Sequence, residues 1–426
     1  MFQTIVNAFK IKEVRRKILI TIALLFVYRL GCYIPVPGVN AFEGLDKFTF
    51  LQIMSAVSGG ALQYGTFFAM GIGPYINASI IIQLLTVGIP ALERWSKQGE
   101  EGKRKINNIT RILTLVLAIA QAIGILVAFN NGQGVNLNAL FGDNFFSYAF
   151  LVIVYTAGAA LTMWIGERIT DYGVSNGISL LIFAGILSTA GTAIMSLIQA
   201  MFGPNGLSAM WTLIGFLLAA IVIFAAIVGV NGAERKIPVQ YAKQVKGRKM
   251  YGGQSTHIPI KVNASGVMPL IFSFAILSFP DLIINLVGVS GDNWWTQNMG
   301  TGSWPYMIVL CVLILFFSYF YNQIQFNPDD ISKSIQGNGG FIPGTRPGKP
   351  TADYLKKVSN RITLFGAIFL AVVALIPSLV FKAIGGEGLM NVFSATGLLI
   401  IVSVALEFEQ ALQSQIMMKN YKGFLK

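Results

Sequence analysis

Apolar runs close to 20 residues long recur along this chain from one end to the other. A run of that length is what one α-helix needs to cross the hydrocarbon core of a bilayer. Ten can be read, at 18–34, 72–92, 109–129, 146–165, 178–198, 211–230, 267–287, 306–321, 362–381 and 392–408. Within lipid every backbone N–H and C=O must be satisfied internally, so repeated runs of this kind leave helices as the stable outcome. Composition agrees, with 54% of 426 residues hydrophobic, 12% charged and a mean hydropathy of +0.65. These values exclude a soluble multi-domain protein and predict an all-α polytopic membrane protein. No small-residue cleavage site follows the first run, so the basic stretch 1–17 and that run read as the first span rather than a signal peptide.

Charge sets the orientation. With the amino terminus in the cytoplasm, 28 of 31 Lys and Arg fall in the inner segments 1–17, 93–111, 166–177, 231–263, 322–361 and 407–426. Against them stand 12 acidic residues, a net +16, whereas the outer face carries three basic and six acidic residues, a net −3. The exceptions are Arg29, Lys47 and Lys382. This bias predicts ten spans with both termini cytoplasmic.

One stretch breaks the pattern. Residues 55–90 begin too glycine-rich and too short to span, and become apolar and long enough only from Ile72. Between lies Gly71-Ile72-Gly73-Pro74-Tyr75-Ile76, a helix-breaking sequence that predicts a hinge. Irregular backbone at membrane depth is tolerated only when buried in protein or facing a cavity. The seventh span opens the same way, Gly266-Val267-Met268-Pro269-Leu270-Ile271, five spans later. A duplicated five-span half would be inverted in the membrane, with a pathway at the interface of the halves. Two unrelated helix starts with proline in the first turn would give the same letters.

The spans hold little chemistry. Ion-coupled transporters place ionisable groups near the midplane, but here Arg29, Asp281, Glu407 and Glu409 sit toward span ends. The spans offer isoleucine instead, including Ile72, Ile76, Ile80, Ile81, Ile182, Ile271 and Ile400. Such residues either pack, face lipid, or form a constriction that gates by dewetting. Cys32 and Cys311 lie in or beside apolar runs and read as packing residues, and the single histidine, His257, is too little for a metal site or a triad. A solute transporter or a membrane enzyme is therefore disfavoured, and no catalytic residue, metal or cofactor is expected.

Two inner loops are too long to be connectors. Residues 231–263 carry Arg235, Lys236, Lys243, Lys246, Arg248 and Lys249, with apolar residues alternating at Ile237, Val239 and Tyr241. Alternation of this kind predicts a projecting hairpin. Residues 325–361 contain a glycine- and proline-rich run with Arg346 and Lys349. It is not a phosphate loop, since three residues separate Gly344 from Gly348 and Pro350 follows Lys349. Anchoring to anionic lipid needs charge near the bilayer rather than thirty residues of turn chemistry. Such loops suit docking of a large, partly acidic partner, ribosomal RNA or a protein motor.

Four stretches together, 58–90, 173–186 (GVSNGISLLIFAGI), 241–263 and 339–351 (GGFIPGTRPGKPT), resemble the SecY family of bacterial protein-translocation channels, in order and over essentially the whole chain. The resemblance implies ten helices in two inverted halves, 1–200 and 201–426, around an hourglass pore. It implies a short plug helix at 55–68, including Ser58, Gly59, Gly60, Ala61 and Leu62. A pore ring maps onto Ile72, Ile76, Ile182, Ile271 and Ile400. A lateral gate lies between the second and seventh spans, with Pro74, Asn77, Gln83 and Pro269. Docking is implied for Arg346 and, in the first loop, for Arg235, Lys243, Arg248 and Lys249. The implied partners are the SecE and SecG subunits, the SecA ATPase, the ribosome, signal peptides and unfolded secretory chains. The implied activity is passage of those chains across the membrane and lateral insertion of membrane proteins, through a passive pore driven from outside.

Overall fold

The computed structural model describes residues 2–37, 39, 54–55, 58–131, 145–202, 206–241, 244–246, 249–251, 255–263, 266, 268–287, 294–299, 303–384 and 395–423. Its helices are α1 (Phe2–Lys10), α2 (Lys12–Gly31), α3 (Gly73–Gly88), α4 (Pro90–Lys97), α5 (Glu100–Asn131), α6 (Phe145–Tyr172), α7 (Gly177–Met201) and α8 (Gly206–Gly232). They continue as α9 (Met268–Val287), α10 (Trp294–Asn298), α11 (Trp304–Gln325), α12 (Pro328–Gly337), α13 (Lys349–Ile384) and α14 (Ala395–Gly423). Each of the ten apolar runs falls on a helix. Among the described residues six helices are long and apolar enough to cross a membrane, or seven if the bent pair α3 and α4 is one span. The helices on the other three runs are α2, α9 and α14.

Helix ends and apolar run ends do not coincide. Helices α5 and α13 begin well ahead of their runs, and α14 continues past its own to Gly423. Hydropathy marks where lipid lies, while Glu, Lys, Arg and Gln sustain the backbone ladder beyond it. The second run is corrected in the opposite sense. It does not continue to residue 92: α3 stops at Gly88, and α4 leaves at 101°. Pro90 lacks an N–H and disfavours a helical Ile89, which sits extended at φ −107° and ψ 114°.

The two glycines that open the glycine–proline repeat share one backbone conformation. Gly71 and Gly266 are both left-handed, at φ +52° and +62°. Helix α3 then starts at Gly73 with Pro74 second, and α9 starts at Met268 with Pro269 second. The expected break within a membrane segment is thus a helix start, since Pro in the first turn forfeits no helical hydrogen bond. What precedes α3, from Gly59 to Ile72, is a succession of turns. Its backbone is satisfied within the protein: Phe67 N–H donates to Ile34 O at 2.9 Å, Val36 to Gly65 O at 3.1 Å and Gly71 to Phe68 O at 2.8 Å. That is the condition for irregular backbone at membrane depth.

One apolar core joins α5 and α6 to the turns before α3, through Leu62, Met70, Ala118, Ala122, Leu151 and Tyr155. A second joins α8, α9, α11, α13 and α14 through Ile227, Leu270, Ile314, Leu370 and Val402. Outside the bundle stand β1 (Glu234–Tyr241), β2 (Gln244–Lys246), β3 (Lys249–Tyr251), β4 (Ser255–Lys261) and β5 (Gly340–Phe341). β1 and β4 form the hairpin that the alternation predicts, in register from Glu234↔Lys261 to Gln240↔Ser255, and β2 pairs with β3. β5 adds to the other edge of β1 through Gln240↔Phe341 and Tyr241↔Gly340. The two long loops are therefore one small body, with Ile237, Val239, Ile260, Ile335, Ile342 and Leu355 buried between them.

Candidate functional site

A third apolar core brings the five isoleucines together. Ile72 caps the start of α3 and Ile76 lies one turn on, its N–H bonded to Ile72 O at 3.1 Å. Ile182 comes from α7, Ile271 from the first turn of α9 and Ile400 from the start of α14. Ile72, Ile182 and Ile400 belong to one buried apolar cluster with Tyr28, Cys32, Ile186 and Val404, and the partly buried Ile76 and Ile271 pack against it. Exposures of 2%, 5% and 6% for Ile72, Ile182 and Ile400 decide between packing and lipid contact: they are packed inside the protein. Four helices, two before and two after the midpoint of the chain, thus bring β-branched side chains to one apolar cluster. Such side chains are stiff at χ1 and offer water no partner.

Ala61 and Phe68 of the turn stretch pack into the same cluster. Ser58 is buried and its hydroxyl donates to Ser55 O at 3.1 Å. Gly59 and Gly60 follow, both left-handed at φ +71° and +85°, and Leu62 is buried against Met54 and Met70 in the neighbouring core. Of the expected plug element at 55–68, residues 56–57 lie outside the described ones, Ser55 and Ser58 are helical, and turns run from Gly59 onward. Three positive-φ glycines, at 59, 60 and 65, cannot continue a right-handed helix.

Pro74 and Pro269 are buried in the first turns of α3 and α9, and Asn77 is half-buried on α3. Gln83 Oε1 accepts the Tyr321 hydroxyl of α11 at 2.9 Å. The Tyr321 ring meets Phe272 of α9 edge-on at 4.8 Å. Ile80, Phe272, Phe317 and Tyr321 form the apolar contact that joins α3, α9 and α11. Arg235 is exposed on β1, and Arg346 is exposed in a turn pinned at several points. There Thr351 Oγ1 donates to Arg346 O and Ser332 Oγ to Gly348 O, both at 2.7 Å. Lys249 lies on β3, whereas Lys243 and Arg248 lie outside the described residues.

Sequence reasoning missed several polar contacts that join distant segments. Arg111 on α5 grips Glu167 on α6 through Nε and Nη2, both at 2.8 Å. Asn263 donates to Asn231 at 2.8 Å, and Asn231 to Ser403 on α14 at 3.1 Å. Arg29 on α2 donates to Ser188 on α7. Each residue is visible as a polar letter in or beside a span, but no local signal names its partner.

Helices long and apolar enough to cross a membrane, six or seven among the described residues, define a multi-spanning membrane protein. The family model named SecY matches residues 66–409. Protein translocase subunit SecY of Mycobacterium tuberculosis is 41% identical over 449 residues, covering 100% of both chains. That of Staphylococcus aureus is 41% identical over 436 residues, covering 100% of this chain and 99% of the relative. The chain belongs to the SecY family, and the relatives it matches are protein translocase subunits. Among solved structures, a protein conducting channel matches with a TM-score of 0.66 at 20% identity, over 94% of this chain and 92% of that one. Sec61 in a canine ribosome-channel complex matches with a TM-score of 0.60 at 18% identity, over 94% and 92%. At such identities these likenesses speak for the fold alone.

Proposed function

We propose that unfolded secretory chains pass through the collar formed by Ile72, Ile76, Ile182, Ile271 and Ile400, across the bacterial cytoplasmic membrane. The single observation that carries this reading is that Ile72, Ile182 and Ile400 share one buried cluster against which Ile76 and Ile271 pack. A ring of branched apolar side chains fits around any extended chain without selecting by charge, and excludes water when empty. The turn stretch 55–68, including Ser58, Gly59, Gly60, Ala61 and Leu62, is the plug. Halves 1–200 and 201–426 are inverted copies, for which the matching left-handed glycines ahead of Pro74 and Pro269 speak. Signal peptides and apolar spans leave sideways between α3 and α9, past Pro74, Asn77, Gln83 and Pro269.

Both termini are cytoplasmic, as the basic residues suggest. The joined loops 231–263 and 325–361 then form a docking platform for the SecA ATPase or the ribosome, through Arg235, Lys243, Arg248, Lys249 and Arg346. A channel of the same fold, Sec61, is described in complex with a ribosome. SecE and SecG complete the assembly, and the inner basic segments meet anionic lipid.

Crosslinking of a stalled secretory chain tests the pore. Photoreactive residues replace Ile76, Ile182, Ile271 and Ile400 in turn, with Ile112 of α5, which is 64% exposed, as the lipid-facing control. Crosslinks at the four collar positions and none at the control are expected. Absence of crosslinks together with saturable flux of a small solute would instead identify a transporter.

A further inference from the structure

Arg29 is an arginine in an apolar helix, and the pore reading leaves it without a task. A charge in such a segment is costly to keep, so its partners are informative. Nη2 donates to Ser188 Oγ on α7 and, at 3.4 Å, to the hydroxyl of Tyr33 one turn on. The guanidinium also stands 5.4 Å from the centre of the Tyr33 ring. Nη1 is buried and has no acceptor among the described residues.

What covers Nη1 is the glycine turn. A methyl group built on Gly59 would collide with Nη1 and stand 3.1 Å from Gly185 O and 3.2 Å from Gly185 Cα of α7. The backbone at Gly59 is thus held between a guanidinium on α2 and the main chain of α7, in a conformation that L side chains rarely adopt. Ser188 lies six residues past Ile182, roughly 9 Å along the helix axis. The contact therefore sits just beyond the collar, on the side away from the hairpin.

We infer that Arg29 is the positioning residue for the plug: it ties α2 to α7 through Ser188 and walls in the turn at Gly59, so that the turn stays seated beneath the collar. This rests on the channel reading above. Hydrogen bonds to a charged donor favour the seated state, while the buried, unpartnered Nη1 opposes it. The balance suits a segment that must leave with each client and return.

Resting ion conductance of the purified translocase complex in planar bilayers tests this. The variants are Arg29→Gln, Arg29→Lys, Ser188→Ala and Arg29→Gln with Ser188→Ala, with Ile182→Asn as the leak control for the collar. Arg29→Gln is expected to raise conductance about tenfold, the effect of losing one hydrogen bond to a charged group. Arg29→Lys should recover part of the seal, and Ser188→Ala should leak alone yet add nothing to Arg29→Gln. That non-additivity is something a merely structural arginine would not produce. Wild-type conductance in Arg29→Gln while Ile182→Asn leaks would overturn the latch and spare the collar. Silence in Ile182→Asn would overturn the collar, and the latch with it. If Arg29→Gln fails to assemble, Ser188→Ala decides: a leak supports the latch, and wild-type conductance overturns it.

Discussion

Gly158 on α6 has no side chain because the turn stretch occupies the space. A methyl group there would collide with Phe67 O and reach the Phe68 ring at 3.7 Å. Gly191 on α7 has nothing within 4 Å. Gly158→Val should therefore destabilise the detergent-solubilised complex by about 1–3 kcal/mol, the usual cost of overpacking. Gly191→Ala should leave it unchanged or slightly more stable, since Ala favours helix by up to about 1 kcal/mol. Thermal unfolding of the two variants checks both; equal shifts would mean the turn yields to side chains on α6. At this scale the sequence is only half readable. Ile182 and Ile153 are the same letter in similar runs, yet the first is 5% exposed and the second 67%. Family resemblance, not composition, separates them.

Helices α3, α9 and α11 meet at Tyr321, whose hydroxyl reaches Gln83 while its ring leans on Phe272. Removing only the hydroxyl, by Tyr321→Phe, deletes one bond across the proposed gate. Bonds of this kind in membrane proteins average about 0.6 kcal/mol in double-mutant cycles. A cycle with Gln83→Ala should return a coupling of that order, and clients with weakened signal sequences should cross more readily in either single variant. No coupling would mean the pair is incidental to gating. Elements themselves were largely legible, since each apolar run lies on a helix and the alternation at 237–241 lies on a strand. Their ends were not, because Pro90 turns the chain through 101° where hydropathy continues, and α13 begins at Lys349 where hydropathy is silent.

The projecting body is built from two loops separated by α9 and α11, and its register lies in the Gln240↔Phe341 pairing. No periodicity in either loop encodes that pairing, because it depends on how the intervening spans return the chain. Ile237 is 2% exposed in the core that both loops share. Ile237→Asp should open this body alone: limited proteolysis would cut near 240–255 and 338–346, while the spans stay protected. Cutting throughout the chain would show that the body and the bundle unfold together. A buried, unpaired charge is costly enough to expect the local outcome.

The proposed collar draws Ile72 from the start of α3 and Ile400 from α14, the last helix described. Order of synthesis therefore matters to the cell that makes this protein. A nascent chain that has delivered α2 to α7 into the bilayer exposes Ile72, Ile76 and Ile182 with no opposite wall, for as long as the remaining half takes to emerge. The unfinished molecule is a trough rather than a tube. Only the insertion of α14 turns a row of helices into a closed circumference.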